Sequence, residues 1–103
     1  MPSYEMIHIE GVIFSNAPQT GALVVYCPKK YRGKNAQVAL NAKIFGDQVE
    51  VQVIERRVNG SKQYVAAFPS LPAGTHQVGI SMVRGSARRF SVFPGSVAEV
   101  DYR

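Results

Sequence analysis

Along this chain apolar and polar side chains trade places at every second position, the period of a strand, and no ten-residue window carries the i, i+3, i+4, i+7 stripe of a packed helix. The pattern predicts an all-β chain with no substantial helix. In residues 4–14, Ile7, Ile9 and Ile13 fall on one parity and His8 and Glu10 on the other, as in a half-buried first strand, with Gly11 marking a bulge. Turn formers from Ser15 to Gly21 make the first loop. Residues 22–27 (Ala-Leu-Val-Val-Tyr-Cys) are apolar on both parities, which predicts a central strand covered on both faces and ended by Pro28. Residues 36–42 set Val38 and Leu40 against Gln37, Ala39 and Asn41, a strand with one wet face. Lys43-Ile-Phe45 is ambiguous, and Gly46-Asp47 reads as a turn.

The clearest alternation lies in residues 48–58, where Val49, Val51 and Val53 oppose Gln48, Glu50 and Gln52, until Ile54 breaks parity. A bulge at Val53-Ile54 would produce that slip, because one extra residue exchanges the two faces. Asn59-Gly60 supplies the two positive φ angles of a type I′ turn, so residues 62–68 should return antiparallel. Residues 68–76, Phe-Pro-Ser-Leu-Pro-Ala-Gly-Thr-His, then form a corner. Both prolines lack an N–H and should end the strand, while Gly74 turns the chain from one sheet layer to the other. Beyond it Val78, Ile80 and Met82 share one face. Residues 88–93 and 96–102 are the last strands, joined through Pro94-Gly95, with Phe90, Val92, Ala98, Val100 and Tyr102 inward. About seven or eight short strands at turn spacings of roughly eight to twelve residues read as a β-sandwich, in preference to a barrel.

A length of 103 residues suits a single domain over residues 1–103, with one core that needs no staple. Hydrophobic residues make up 46% and charged residues 18%, the balance of a folded chain rather than a disordered one. Cys27 is the one cysteine, so no intrachain disulfide forms, and a reducing, cytoplasmic setting is expected. Neither a leader pattern nor an apolar run long enough to span a bilayer is present, so no membrane partner is expected. The net charge of +5 favours anionic partners.

Its chemistry-bearing residues are scattered. His8, Cys27 and His76 stand singly on three expected strands, which gives no metal-ligand spacing, and Cys27 reads as core filling. Phosphate-cradling glycine loops and the Gly-x-Ser-x-Gly elbow are missing, so no catalytic residue, cofactor or metal is assigned. Positive charge is not scattered. Lys29, Lys30, Tyr31, Arg32 and Lys34 form one cluster and Arg84, Arg88 and Arg89 a second, with Arg56 and Arg57 in the hairpin arm. Cations beside an aromatic ring can track a phosphate backbone and stack a base.

Leu71-Pro-Ala-Gly-Thr-His-Gln-Val78 resembles the Leu-Pro-x-Gly-x-Tyr-x-Val corner of prealbumin-like sandwiches, a group that includes transthyretin-like and carboxypeptidase regulatory-like domains. Residues 90–102 look like the way such domains finish. The stretch Glu55-Arg-Arg-Val-Asn-Gly60 before the corner is similar to that of small uncharacterised bacterial proteins. The resemblance implies an all-β Greek-key sandwich and places His76 where the family has a tyrosine, packed under the corner. It implies no activity. The hydroxyisourate hydrolases of this fold group end in Tyr-Arg-Gly-Ser, whereas Tyr31-Arg32-Gly33 lies mid-chain and Tyr102-Arg103 ends this sequence. The iron site of intradiol dioxygenases, the first-strand lysine of isopeptide-forming repeats and the tryptophan of sugar binders have no counterpart here. The expectation is a non-catalytic interaction module that binds a protein partner or itself, with anion or nucleic-acid binding through the two basic clusters as the alternative.

Overall fold

The computed structural model describes residues 7–14, 17–43 and 46–103. Eight strands follow one another there: β1 (Thr20–Cys27), β2 (Asn35–Ala39), β3 (Gln48–Gln52), β4 (Ile54–Val58), β5 (Ser61–Pro72), β6 (Gly74–Ile80), β7 (Arg88–Val92) and β8 (Val97–Asp101). They form two four-stranded sheets, ordered β4-β5-β1-β8 and β3-β2-β6-β7. All neighbouring pairs are antiparallel except β1 and β8, which run parallel. The architecture is therefore all-β and sandwich-like. Among the described residues only two 3-10 turns, Lys29–Tyr31 and Leu40–Ala42, are helical.

β1 is the doubly apolar stretch, and both faces are covered as its composition requires. Leu23, Val25 and Cys27 point between the sheets, where they meet Ala66, Phe68 and Leu71 of β5, Val38 of β2, Val78 and Ile80 of β6, and Phe90 and Val92 of β7. Val24 points the other way, into a second apolar cluster with Val58, Val65, Ala67 and Ile9. Burying four or five such side chains at roughly 1.5–3 kcal/mol each makes this outer cluster a substantial part of the fold. Its lid is the N-terminal segment, which corrects the expected first strand. Residues 7–14 lie across the outer face of the first sheet, with Ile9 bridged to Val58, while Ile13 is 91% exposed. The Tyr4 start of that expected strand and the Ile44-Phe45 pair lie outside the described residues.

Four local expectations change for related reasons. The parity slip at Val53-Ile54 is not a bulge. β3 belongs to one sheet and β4 to the other, so the chain changes layers at the fully buried Val53, and a layer change leaves the same one-residue signature as a bulge. The expected strand over residues 36–42 stops at Ala39, because Asn41 and Ala42 adopt φ of 57° and 56°. β5 does not end at Pro69. It runs on to Pro72 through a bulge in which Phe68 pairs with Leu23 and Leu71 with Gly21, so that exposed Pro69 and Ser70 together oppose the single Ala22, a place where a missing N–H does little harm. The corner itself, at Ala73-Gly74 with φ 136° at the glycine, carries the chain between sheets as expected. Met82 does not join Val78 and Ile80, since the strand has ended; it is 92% exposed with φ 67°.

Asn59 and Gly60 adopt φ of 50° and 85° between paired Val58 and Ser61, the expected type I′ hairpin. No helix among the described residues is long and apolar enough to cross a membrane.

Candidate functional site

Both basic clusters reach the same end of the sandwich. β1 leaves its sheet at Cys27, and the loop of residues 28–34 closes on itself: Tyr31 N–H donates to Pro28 O and Lys34 N–H to Tyr31 O, each at 3.0 Å. Gly33, at φ 85°, donates to Val53 O at 2.9 Å, and Val53 returns a 2.8 Å bond to Lys34 O. The second loop, residues 81–87, is tied to the first through Ser81 N–H to Asn35 O at 2.8 Å. Its interior is held by the buried Ser86 hydroxyl, which accepts from Ile80 N–H at 2.9 Å and lies 2.8 Å from Val83 O.

Tyr102 joins the two loops. Its ring meets Tyr31 edge-on at 6.3 Å, and its hydroxyl donates to Ser86 O at 2.6 Å. The Arg88 guanidinium lies 4.5 Å from the centre of the Tyr102 ring and also donates to Asp101 O at 2.8 Å. Lys30 Nζ stands 5.6 Å from the Tyr31 ring. The result is a continuous row from Lys30 through Tyr31 and Tyr102 to Arg88. Burial pushes the Tyr102 hydroxyl up to about 12, so it stays a donor through the neutral range. Sequence reading placed Tyr102 in the core but gave it no site role, because only the tertiary pairing of β1 with β8 brings it beside Tyr31.

Residues 28–34 and 81–89 contain no Asp or Glu. Lys29, Lys30, Arg32 and Arg84 are exposed on the two loops, and Lys34 is half-buried against Val53. Asp101, next to Tyr102, is occupied: Arg103 binds it through Nη2 at 2.9 Å and Nε at 3.0 Å, and those bonds hold the carboxyl below its usual range. Two expected site residues sit differently. Arg88 is a clamp on Tyr102, and Arg89 lies on β7 opposite Gln77, on the outer face of the second sheet. Arg56 belongs to the fold, since its Nη1 donates to Glu10 O at 2.8 Å and steadies the N-terminal lid.

His8, Cys27 and His76 do not meet. His76 and Cys27 lie near opposite ends of β1, at the levels of Thr20↔Pro72 and Cys27↔Tyr64, and His8 is exposed on the outer side. The His76 ring is fully buried, accepting from Asn41 N–H at Nδ1 (2.9 Å) and donating from Nε2 to Pro72 O (2.7 Å). That is a structural part under the corner. Cys27 is buried, and its thiol is pushed up to about 11 by that burial. The described residues include no group of His, Cys, Asp and Glu able to hold a metal ion. No protein-family model, no curated protein and no solved structure matches the chain.

Proposed function

We propose that this chain is a non-catalytic interaction module, a prealbumin-like Greek-key sandwich of the cytoplasm, that binds anionic polymers, single-stranded nucleic acid foremost, through the basic end. One observation carries the reading: two cationic loops some fifty residues apart in sequence are locked side by side through Tyr31 and Tyr102, in a surface free of acidic residues on either loop. Exposed cations held in fixed relation collect phosphates and release counterions. The two rings are engaged with each other, with Lys30 and with Arg88. Base stacking is therefore a minor contributor and the binding is sequence-tolerant.

Fluorescence anisotropy with a labelled mixed-sequence single-stranded oligonucleotide tests this. About five phosphate contacts give a slope near −3 to −4 in log affinity against log salt. Lys30→Glu with Arg84→Glu should abolish the signal with the fold intact. Absence of binding even at low ionic strength sinks the proposal. A second reading, pairing with a protein partner or another copy through a sheet edge, is favoured by β3, which ends the second sheet and contains no proline, glycine or cation.

A further inference from the structure

A single exposed apolar side chain is ordinary on a protein surface. Met82 is set apart by its backbone. Val83 N–H donates to Ile80 O at 3.1 Å and closes a turn over residues 80–83, in which Met82 is the third residue, at φ 67°. A positive φ in that place suits glycine, because a Cβ crowds the backbone there. Three residues on, the same loop needs φ 72°, and it carries Gly85. At 82 the chain instead holds a long apolar residue in a strained conformation, 92% exposed. Its neighbours are fixed: Ser81 N–H is bonded to Asn35 O at 2.8 Å, and Val83 packs against the main core. An anchored turn therefore presents the side chain to solvent.

Its position gives that display a use. The other large apolar residues exposed among the described ones lie elsewhere: Val49 on β3, Ile13 on the N-terminal segment, and Phe93 just past β7, beside Gly21 at the opposite end of the sandwich. Met82 stands on the basic end, two residues from the exposed Arg84, on a loop without Asp or Glu.

We infer that Met82 is the base-contacting residue of the basic end and makes it prefer single strands to duplex, an inference that rests on the nucleic-acid reading above. Lysine and arginine collect phosphates from either form, and a duplex offers the denser charge. Contact with base faces tells the two apart, because a duplex keeps those faces stacked inside while a single strand offers them. Tyr31 and Tyr102 are engaged with each other, Lys30 and Arg88, so they supply little of it. A methionine supplies it well. Its unbranched chain adapts to any base, and its sulfur makes favourable contacts with aromatic rings.

Fluorescence anisotropy with the mixed-sequence single strand and with its duplex, on the parent, Met82→Gly and Met82→Leu, tests this. Met82→Gly should weaken single-strand binding about three- to tenfold, the size of a sulfur–aromatic contact, and leave duplex binding unchanged. The slope of log affinity against log salt should not move, since no cation is removed. The urea midpoint of Met82→Gly should stay close to the parent's, because relief at φ 67° offsets the freedom glycine adds to the unfolded chain. Met82→Leu, similar in volume, should keep single-strand affinity within about twofold. If the parent binds and Met82→Gly binds the single strand equally well, or loses duplex binding to the same extent, this inference is overturned and the basic-end reading stands. A parent that binds neither form at low salt sinks both. Tighter binding to phosphatidylserine vesicles than to the oligonucleotide, lost in Met82→Gly, overturns it in favour of a membrane surface.

Discussion

Replacing His76 by phenylalanine isolates what its two hydrogen bonds contribute. The substitution keeps the ring, its volume and its 5.7 Å approach to Phe90, but removes the acceptor of Asn41 N–H and the donor to Pro72 O. A partner left unsatisfied in a buried setting costs about 1–3 kcal/mol. Asn41 and Pro72 are exposed residues that water can reach, so the low end applies, about 1 kcal/mol each and about 2 kcal/mol together. His76→Ala also empties the site, and by analogy with other aromatic truncations should cost about 3–5 kcal/mol. Either value is a large share of the ~5–15 kcal/mol by which a small domain is stable. Urea unfolding followed by circular dichroism gives the comparison. With m near 1–1.5 kcal/mol/M the phenylalanine variant should unfold at a midpoint about 1–2 M lower, with m unchanged. A phenylalanine variant as stable as the parent would refute the reasoning, and would reduce the histidine to space filling.

Gly21→Ala should be poorly tolerated, since a Cβ there would lie 2.5 Å from Phe93 O and 2.6 Å from Val92 Cγ1; a loss of about 2–3 kcal/mol in urea is expected, against a mild effect for Gly79→Ala, whose nearest neighbour is 3.6 Å away. Equal losses at the two positions would contradict this account. Alkali should destabilise the fold. Burial raises Cys27 to about 11 from 9.0, and Tyr26 and Tyr102 to about 12 from 10.0, so folding favours their neutral forms; that contribution is whole below pH 9 and is lost as pH rises from about 9 to 12. Absorbance titration of the tyrosinate band, compared with the Tyr26→Phe and Tyr102→Phe variants, should find these two tyrosines ionising late, and their ionisation near 10.0 in folded protein would count against it. Because burial shields Cys27 and pushes its thiol up to about 11, a disulfide reagent at pH 8 should react on the order of a hundredfold faster once urea has unfolded the chain.

Much of the local structure is legible in the residues. Alternation announces strands, Asn59-Gly60 announces a hairpin because few other pairs accept two positive φ angles, and apolar residues on both parities of 22–27 announce a strand covered on both faces. The site was legible only as its parts. Lys29 to Lys34 and Arg84 to Arg89 stand out as charge, whereas their junction depends on Tyr102, more than sixty residues from one loop and placed beside Tyr31 by the parallel pairing of β8 with β1.

Left to itself, the sequence determined where the backbone extends, where it turns and which side chains must leave water, because those follow from φ preferences and from a period counted over a few residues. The tertiary structure decided which layer each strand joins. A period of two is the same in either sheet, so only packing could turn the slip at Val53 into a change of layer, lay residues 7–14 over Val24 and Val65, and set β3 at one end of the second sheet. Contacts between residues far apart in the chain are made by the apolar surface they jointly bury, and no stretch of sequence carries that sum alone.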